Sequence, residues 1–189
     1  FSRRIRPRKT SRRFCMGNCV DGWTTLVTGS GGYGSPNRPA RPFFIGNRAM
    51  RVVETFSSLQ GETTWSGLPS FFIRLAGCNL QCAWCDTSYA RDTRVGQDRS
   101  VEELVDLYRK SGLRSVTVTG GEPLMQEETP SLIGALLKAG AMPLLVETNG
   151  SLDIGVIPAD AIAIVDVKCP GSGACGSFLP VNLERLRRQ

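Results

Sequence analysis

From residue 50 onward the apolar positions alternate between two periods. Short β-branched or aromatic runs recur at Val52–Phe56, Phe71–Leu75 (FFIRL), Ser115–Thr119 (SVTVT), Pro143–Glu147 (PLLVE) and Ala161–Val167 (AIAIVDV). Runs of this length and composition predict strands. Between them the spacing turns helical. Apolar residues at 101, 104, 105 and 108 follow the capping box Ser100-x-x-Glu103 and stop at Gly112. Leu132, Ile133, Leu136 and Leu137 follow Thr129, read as the N-cap, and Pro130, read as the first helical residue, and they stop at Gly140. Buried strands alternating with amphipathic helices predict a parallel α/β sheet. It has an entry strand near Val52 and four central strands from Phe71 onward. After Gly173 the pattern holds no strand, and Asn182–Arg188 begins another helix.

Residues 1–48 do not share this pattern. They carry ten Arg or Lys against the single acid Asp21, whereas residues 49–189 carry thirteen bases against sixteen acids. The net charge of +6 therefore comes from the N-terminal quarter. The basic run FSRRIRPRKTSRRF and the Gly/Pro-rich GSGGYGSPNRPARP predict a disordered extension over 1–48 ahead of one domain over 49–189. Gly29–Gly34 match a dinucleotide fingerprint in letters only, because Ser35-Pro36-Asn37-Arg38-Pro39 cannot supply the helix it needs. Cys15 and Cys19 read as incidental thiols. Met50 stands just before the organised region, so the extension reads as sequence upstream of a start site. The mildly acidic remainder speaks against a nucleic-acid partner, and no apolar run approaches the ~20 residues of a membrane span.

Cysteine then changes the picture. The chain has seven cysteines and no histidine. An odd count with no secretory leader predicts a reducing, cytoplasmic setting and metal or redox chemistry. Lack of histidine excludes Ser-His-Asp and Cys-His catalysis. Directly after FFIRL, Cys78, Cys82 and Cys85 fall in a C-x3-C-x2-C spacing. Three thiolates on one loop suit three irons of a cubane cluster and leave the fourth iron open. A structural zinc would ask for a fourth Cys or His nearby. Three more polar clusters end predicted strands: Gly120-Gly121-Glu122-Pro123, Glu147-Thr148-Asn149-Gly150 and the run DVKCPGSG at 166–173. In parallel α/β folds that edge gathers ligands.

The cysteine spacing, with Trp84 before its last cysteine and GGEP downstream, resembles the radical S-adenosylmethionine (SAM) superfamily. Leu59-Gln60-Gly61-Glu62, Arg74 and Cys85-Asp86-Thr87 are similar to the 7-carboxy-7-deazaguanine synthase family within it, and ETNG and DVKCPGSG agree. The resemblance covers residues 50–173. It implies an incomplete TIM-like barrel and a 4Fe-4S cluster on Cys78, Cys82 and Cys85 whose open iron takes SAM. The hard chemistry belongs to cluster and SAM, so no side chain is assigned as catalytic. Trp84, Gly120, Gly121 and Glu122 would bind SAM. Leu59, Gln60, Gly61, Arg74 and Thr119 would bind a carboxylated tetrahydropterin. Thr87 would meet Mg2+, and Glu62, Lys168 and Ser172 are further candidates. A flavodoxin-like or other one-electron reductant and a homodimer are also implied.

The family barrel has about six strands, so the resemblance further implies that the strands after Gly173 are missing here by C-terminal truncation. Two alternatives stand beside the synthase reading: a glycyl-radical activase, and an inactive Fe–S-binding fragment.

Overall fold

The computed structural model describes residues 49–186. The basic extension, with Cys15, Cys19 and the GSGGYG run, lies outside the described residues, as do residues 187–189. Among the described residues there are six strands: β1 Met50–Leu59, β2 Pro69–Leu75, β3 Gln97–Arg99, β4 Ser115–Gly120, β5 Leu144–Thr148 and β6 Ile162–Val165. Three helices accompany them: α1 Val101–Ser111, α2 Thr129–Lys138 and the short α3 Asn182–Leu186. The strands form one open sheet in the order β3-β1-β2-β4-β5-β6.

Apart from the added β3, the order of strands and helices follows the sequence expectation, but the sheet is mixed. Strands β2, β4, β5 and β6 pair in parallel. Strand β1 runs antiparallel to β2, and β3 runs antiparallel to β1. β1 meets β2 through a short connection over residues 60–68, and so short a link favours the antiparallel partner because a parallel one needs a long crossover. β3 escaped the sequence reading because Gln-Asp-Arg has no apolar alternation; its pairing is decided by the chain returning beside β1.

Helix α1 begins as its capping box dictates. The Ser100 hydroxyl accepts from the Glu103 amide at 3.1 Å, and the Glu103 carboxylate accepts from the Ser100 amide at 2.8 Å. Gly112 closes it in the left-handed region, at φ 68°. For α2 the expectation shifts by one residue. Glu128 is the N-cap, and Thr129 is already helical. The Thr129 hydroxyl instead donates to the Pro123 carbonyl, tying the helix start to the GGEP turn.

The two faces of the sheet differ. Phe71, Ile73, Leu75, Val116, Val118, Leu144 and Val146 join Leu104, Leu132, Ile133 and Leu136 in one apolar cluster. Alternate residues point to the other face and include Ser70, Arg74, Thr117, Thr119 and Glu147. Phe56 and Phe72 stack on that side with ring centroids 4.9 Å apart. Among the described residues no helix is long and apolar enough to cross a membrane.

Candidate active site

A cavity of about 440 Å³ opens at the C-terminal ends of the parallel strands. Cys78, Cys82 and Cys85 all line it, and all three are free thiols. Among the described residues no three Cys, Asp or Glu side chains converge on a point that would hold a single metal ion. A cubane needs no convergence, because each sulfur takes its own iron corner. The donor set fits a cluster of three thiolates with one open iron.

The cysteine loop is held from several directions. Its base is set by Gln126, whose amide donates to the carbonyls of Arg51 at 2.8 Å and Ala76 at 2.9 Å while its oxygen accepts from the Arg51 amide at 3.0 Å. The Gly77 and Cys78 amides donate to the carbonyls of Ala90 and Arg91. Arg91 also donates to the Cys82 carbonyl at 2.8 Å. From across the cavity the Ala83 amide donates to the Ser172 carbonyl at 2.8 Å. The Ser172 hydroxyl is occupied in its own turn, donating to the Cys169 carbonyl and accepting from the Ala174 amide. Ser172 therefore lines the cavity chiefly as a clasp on the loop.

The two glycines of GGEP have a packing role. A Cβ on Gly121 would stand 2.7 Å from Cys78 Cβ and closer still to the Gly77 carbonyl oxygen. On Gly120 it would press on Leu75 backbone, 2.9 Å from the amide nitrogen. Strand β4 can end against the cysteine loop only because both side chains are absent. Glu122 follows, fully buried, and does not line the cavity. Its carboxylate accepts from the Leu124 amide at 3.0 Å, the Thr148 hydroxyl at 2.8 Å and the Asn149 amide at 2.7 Å. Burial pushes its pKa above the ordinary carboxylate value, although these donors and Lys168 pull the other way.

The rest of the wall is charged. Glu62, Asp86, Glu147, Asp166 and Lys168 all face the cavity. Burial, then the charges of Glu147, Asp166 and Asp86, raise the Glu62 pKa against the pull of Lys168. Burial would lower that of Lys168, but its ion pair with Asp166 and the nearby Cys82 and Cys85 outweigh burial and raise it. Burial likewise raises the Cys78 thiol, with Glu122 and Cys82 adding to the effect and the Leu80 amide and Asn149 opposing it.

Arg74 lines the cavity with a partner already in place. Its Nε donates to Glu54 at 2.7 Å, and its guanidinium lies 5.7 Å from the Phe56 ring centre and 5.9 Å from that of Tyr89. The Tyr89 hydroxyl donates to the same Glu54 oxygen at 2.8 Å. These two hydrogen bonds outweigh burial and hold the Glu54 carboxyl below its ordinary value. A charged side chain fixed in this way has its orientation chosen before any ligand arrives.

Most of the residues expected from sequence come together here: the three cysteines, Glu62, Arg74, Trp84, Thr87, Thr119, Gly120, Gly121, Lys168 and Ser172. Trp84 is 63% exposed, with its ring against Gly171. Thr87 donates to the neighbouring Asp86 carboxylate at 2.8 Å. The stretch Leu59-Gln60-Gly61 is not on the cavity wall. Leu59 is 61% exposed at the end of β1. Gln60 is buried beneath the wall, donating to Thr117 at 3.3 Å and Glu147 at 3.0 Å and accepting from the Glu62 amide at 3.1 Å. It thereby orients two of the acids that do reach the cavity. Local sequence offered no signal for Glu54, Arg91 or Gln126, whose roles depend on segments far apart in the chain. Asn149 and Asp166 lay inside predicted polar clusters without a role of their own.

The comparisons with known proteins bear on this geometry. A family model described as the radical SAM superfamily matches residues 72–166. Among curated relatives, a 7-carboxy-7-deazaguanine synthase of Koribacter versatilis (strain Ellin345) is 42% identical over 140 residues, covering 72% of this chain and 60% of that protein. One of Methanospirillum hungatei JF-1 is 45% identical over 135 residues, covering 71% of this chain and 55% of that protein. The chain thus spans well under two thirds of the length of these relatives. The crystal structure of QueE from Escherichia coli superposes with a TM-score of 0.64 at 28% identity, over 76% of this chain and 71% of the other. The matched span runs from β2 to the residue after β6 and contains the cysteine loop, GGEP and ETNG. It accounts for half of the sequence and for the wall that carries the three thiols, and on that footing the chain belongs to the radical SAM superfamily.

Proposed function

We propose that this chain is a ring-contracting lyase that converts 6-carboxy-5,6,7,8-tetrahydropterin to 7-carboxy-7-deazaguanine with loss of ammonia. The observation that carries the reading is the joint placement of three free thiols and a fixed arginine, Arg74, on one cavity at the strand ends. The relatives named 7-carboxy-7-deazaguanine synthase support it.

Cys78, Cys82 and Cys85 would hold a 4Fe-4S cluster, which with SAM supplies one-electron cleavage of a C–S bond and abstraction of a substrate hydrogen. The chain's own residues bind and orient. Gly120 and Gly121 leave backbone bare beside the loop, so a small ligand can approach it closely. Trp84 offers an aromatic face to an adenine. Glu122, held under the floor, contributes charge and order from below. Arg74 retains nitrogens beyond its contact to Glu54 and would pair a substrate carboxylate. Thr119 would read the pterin edge directly, and Gln60, flanked by Leu59 and Gly61, would act through Glu62 and Glu147. Lys168 and Ser172 would meet SAM or substrate. Thr87, beside Asp86, would meet Mg2+, a hard cation that prefers oxygen. The reductant would be flavodoxin-like or another one-electron donor, the setting cytoplasmic, and the assembly a homodimer. Residues 49–189 would make up the working domain.

The test is anaerobic incubation of the reconstituted chain with SAM, a one-electron reductant and the carboxylated tetrahydropterin, followed by mass spectrometry of the product. Formation of the deazaguanine supports the reading. In Arg74→Ala the KM for the pterin is expected to rise by roughly tenfold to a hundredfold, the loss of one charge-assisted pair of ~1.5–3 kcal/mol. Unchanged kinetics in that variant would count against the substrate assignment.

A further inference from the structure

Glu122 of the GGEP turn and the sulfur of Cys78 are linked through one residue, Asn149, by its backbone on one side and its side chain on the other. Asn149, directly after β5, is nearly buried. Its backbone N–H donates to the Glu122 carboxylate at 2.7 Å. Its side-chain oxygen accepts from the Ser151 amide at 2.9 Å. That contact fixes which end of the side chain is the donor. The Nδ2 group then donates one hydrogen to Asn79 Oδ1 at 3.2 Å and reaches Cys78 Sγ at 3.9 Å. The Leu80 amide is a second donor to the same sulfur, at 3.4 Å. Among the described residues no donor reaches the sulfur of Cys82 or Cys85. The three thiols are therefore not equivalent: Lys168 interacts with Cys82 and Cys85 by charge, whereas the hydrogen bonds, from one side chain and one loop amide, go to Cys78.

We propose that Asn149 is a positioning residue that raises the reduction potential of the cluster held by the cysteine loop, acting through its N–H contact to the Cys78 sulfur. The inference rests on the reading that the three cysteines hold such a cluster. Reduction of such a cluster by one electron from the external reductant would add negative charge at its sulfurs, with no bond to the protein formed or broken. A donor aimed at a sulfur stabilises the more negative state, and hydrogen bonds to cluster sulfurs are among the factors that set the potential. Asn149 is suited to this because its backbone is held by Glu122 and its side chain by Ser151 and Asn79. Its N–H direction does not depend on a ligand.

The experiment uses the full chain reconstituted anaerobically with iron and sulfide. Iron and acid-labile sulfide are measured first, and the midpoint potential is then found by redox titration followed by EPR. In Asn149→Ala the potential is expected to fall, with electron uptake weakened on the order of tenfold, which is about 59 mV for one electron. Asn149→Asp keeps the shape and the oxygen that Ser151 needs but replaces the donor with a charge, and its potential is expected to fall further. Wild-type potential in either variant at wild-type iron content overturns the proposal. So does failure of both variants to assemble a cluster, since the contact would then serve folding alone. A wild-type chain that takes up no iron and sulfide overturns the cluster reading itself, so the two failures are distinguishable.

Discussion

The two faces of the sheet are built to opposite rules. The helix side is built mainly from apolar residues: Ile73, Leu104, Leu132, Ile133 and Leu136 are fully buried there. The other side also buries polar groups: beside the Phe56–Phe72 stack, Thr117 bonds to both Ser70 and Gln60, and Gln60 bonds to Glu147. Alternation along a single strand separates them. In β2, Phe71, Ile73 and Leu75 face the helices while Ser70 and Arg74 face away. Burying apolar surface stabilises without direction, whereas a buried polar group is tolerated only if its hydrogen bonds are met. The helix face therefore supplies stability. The polar face supplies geometry, since each satisfied donor fixes an orientation at the cavity.

Changes on each face test this division. The largest stability effect is expected from Leu136→Ala on the helix face. Removing this buried side chain should cost about 2–5 kcal/mol, read as a lower urea midpoint with an unchanged slope. The residual folded protein should still take up iron. Gly121→Ala on the cavity face should cost less, ~1–3 kcal/mol, because one methyl must be accommodated against the Gly77 carbonyl and Cys78. Its iron content should nevertheless fall sharply, reversing the ranking seen for Leu136→Ala. A Gly121→Ala chain with full iron would show that the close approach is not needed.

The gentlest probe is pH. Burial raises the Glu122 pKa above the ordinary value of 4.5. The folded state thus binds the proton more tightly than the unfolded chain does. The resulting stability is fully present below the unfolded pKa and is lost as pH rises through the elevated folded one. Urea unfolding across that window should show declining stability in the wild type, and a flatter profile in Glu122→Gln. Identical slopes would mean that Glu122 ionises in the fold as freely as in water.

Much of the fold was legible because its signals are local. The capping box at Ser100, the stop at Gly112 and the strand of SVTVT each need only neighbouring residues. The shift of the α2 start to Glu128 and the role of Thr129 were not legible, because the hydroxyl chose the Pro123 carbonyl over its own helix. Strand β3 was missed for a similar reason: its three polar residues become a strand only beside β1. At the site, the cysteine spacing and the glycines of GGEP could be read directly. Glu54, Arg91 and Gln126 could not, since each acts on a residue at least nine positions away in the chain.

The sequence alone determined the order of strands and helices apart from β3, the loop of three thiols and the coincidence of four polar clusters at strand ends. Periodicity and spacing are properties of the chain itself, so these needed no three-dimensional information. Only the tertiary structure decided how those clusters touch. It set Glu122 under Asn149 and Asn149 against Cys78, engaged Arg74 with Glu54, and moved Gln60 beneath the wall. Hydrogen bonds between distant segments depend on register and burial, and both arise only when the sheet has formed.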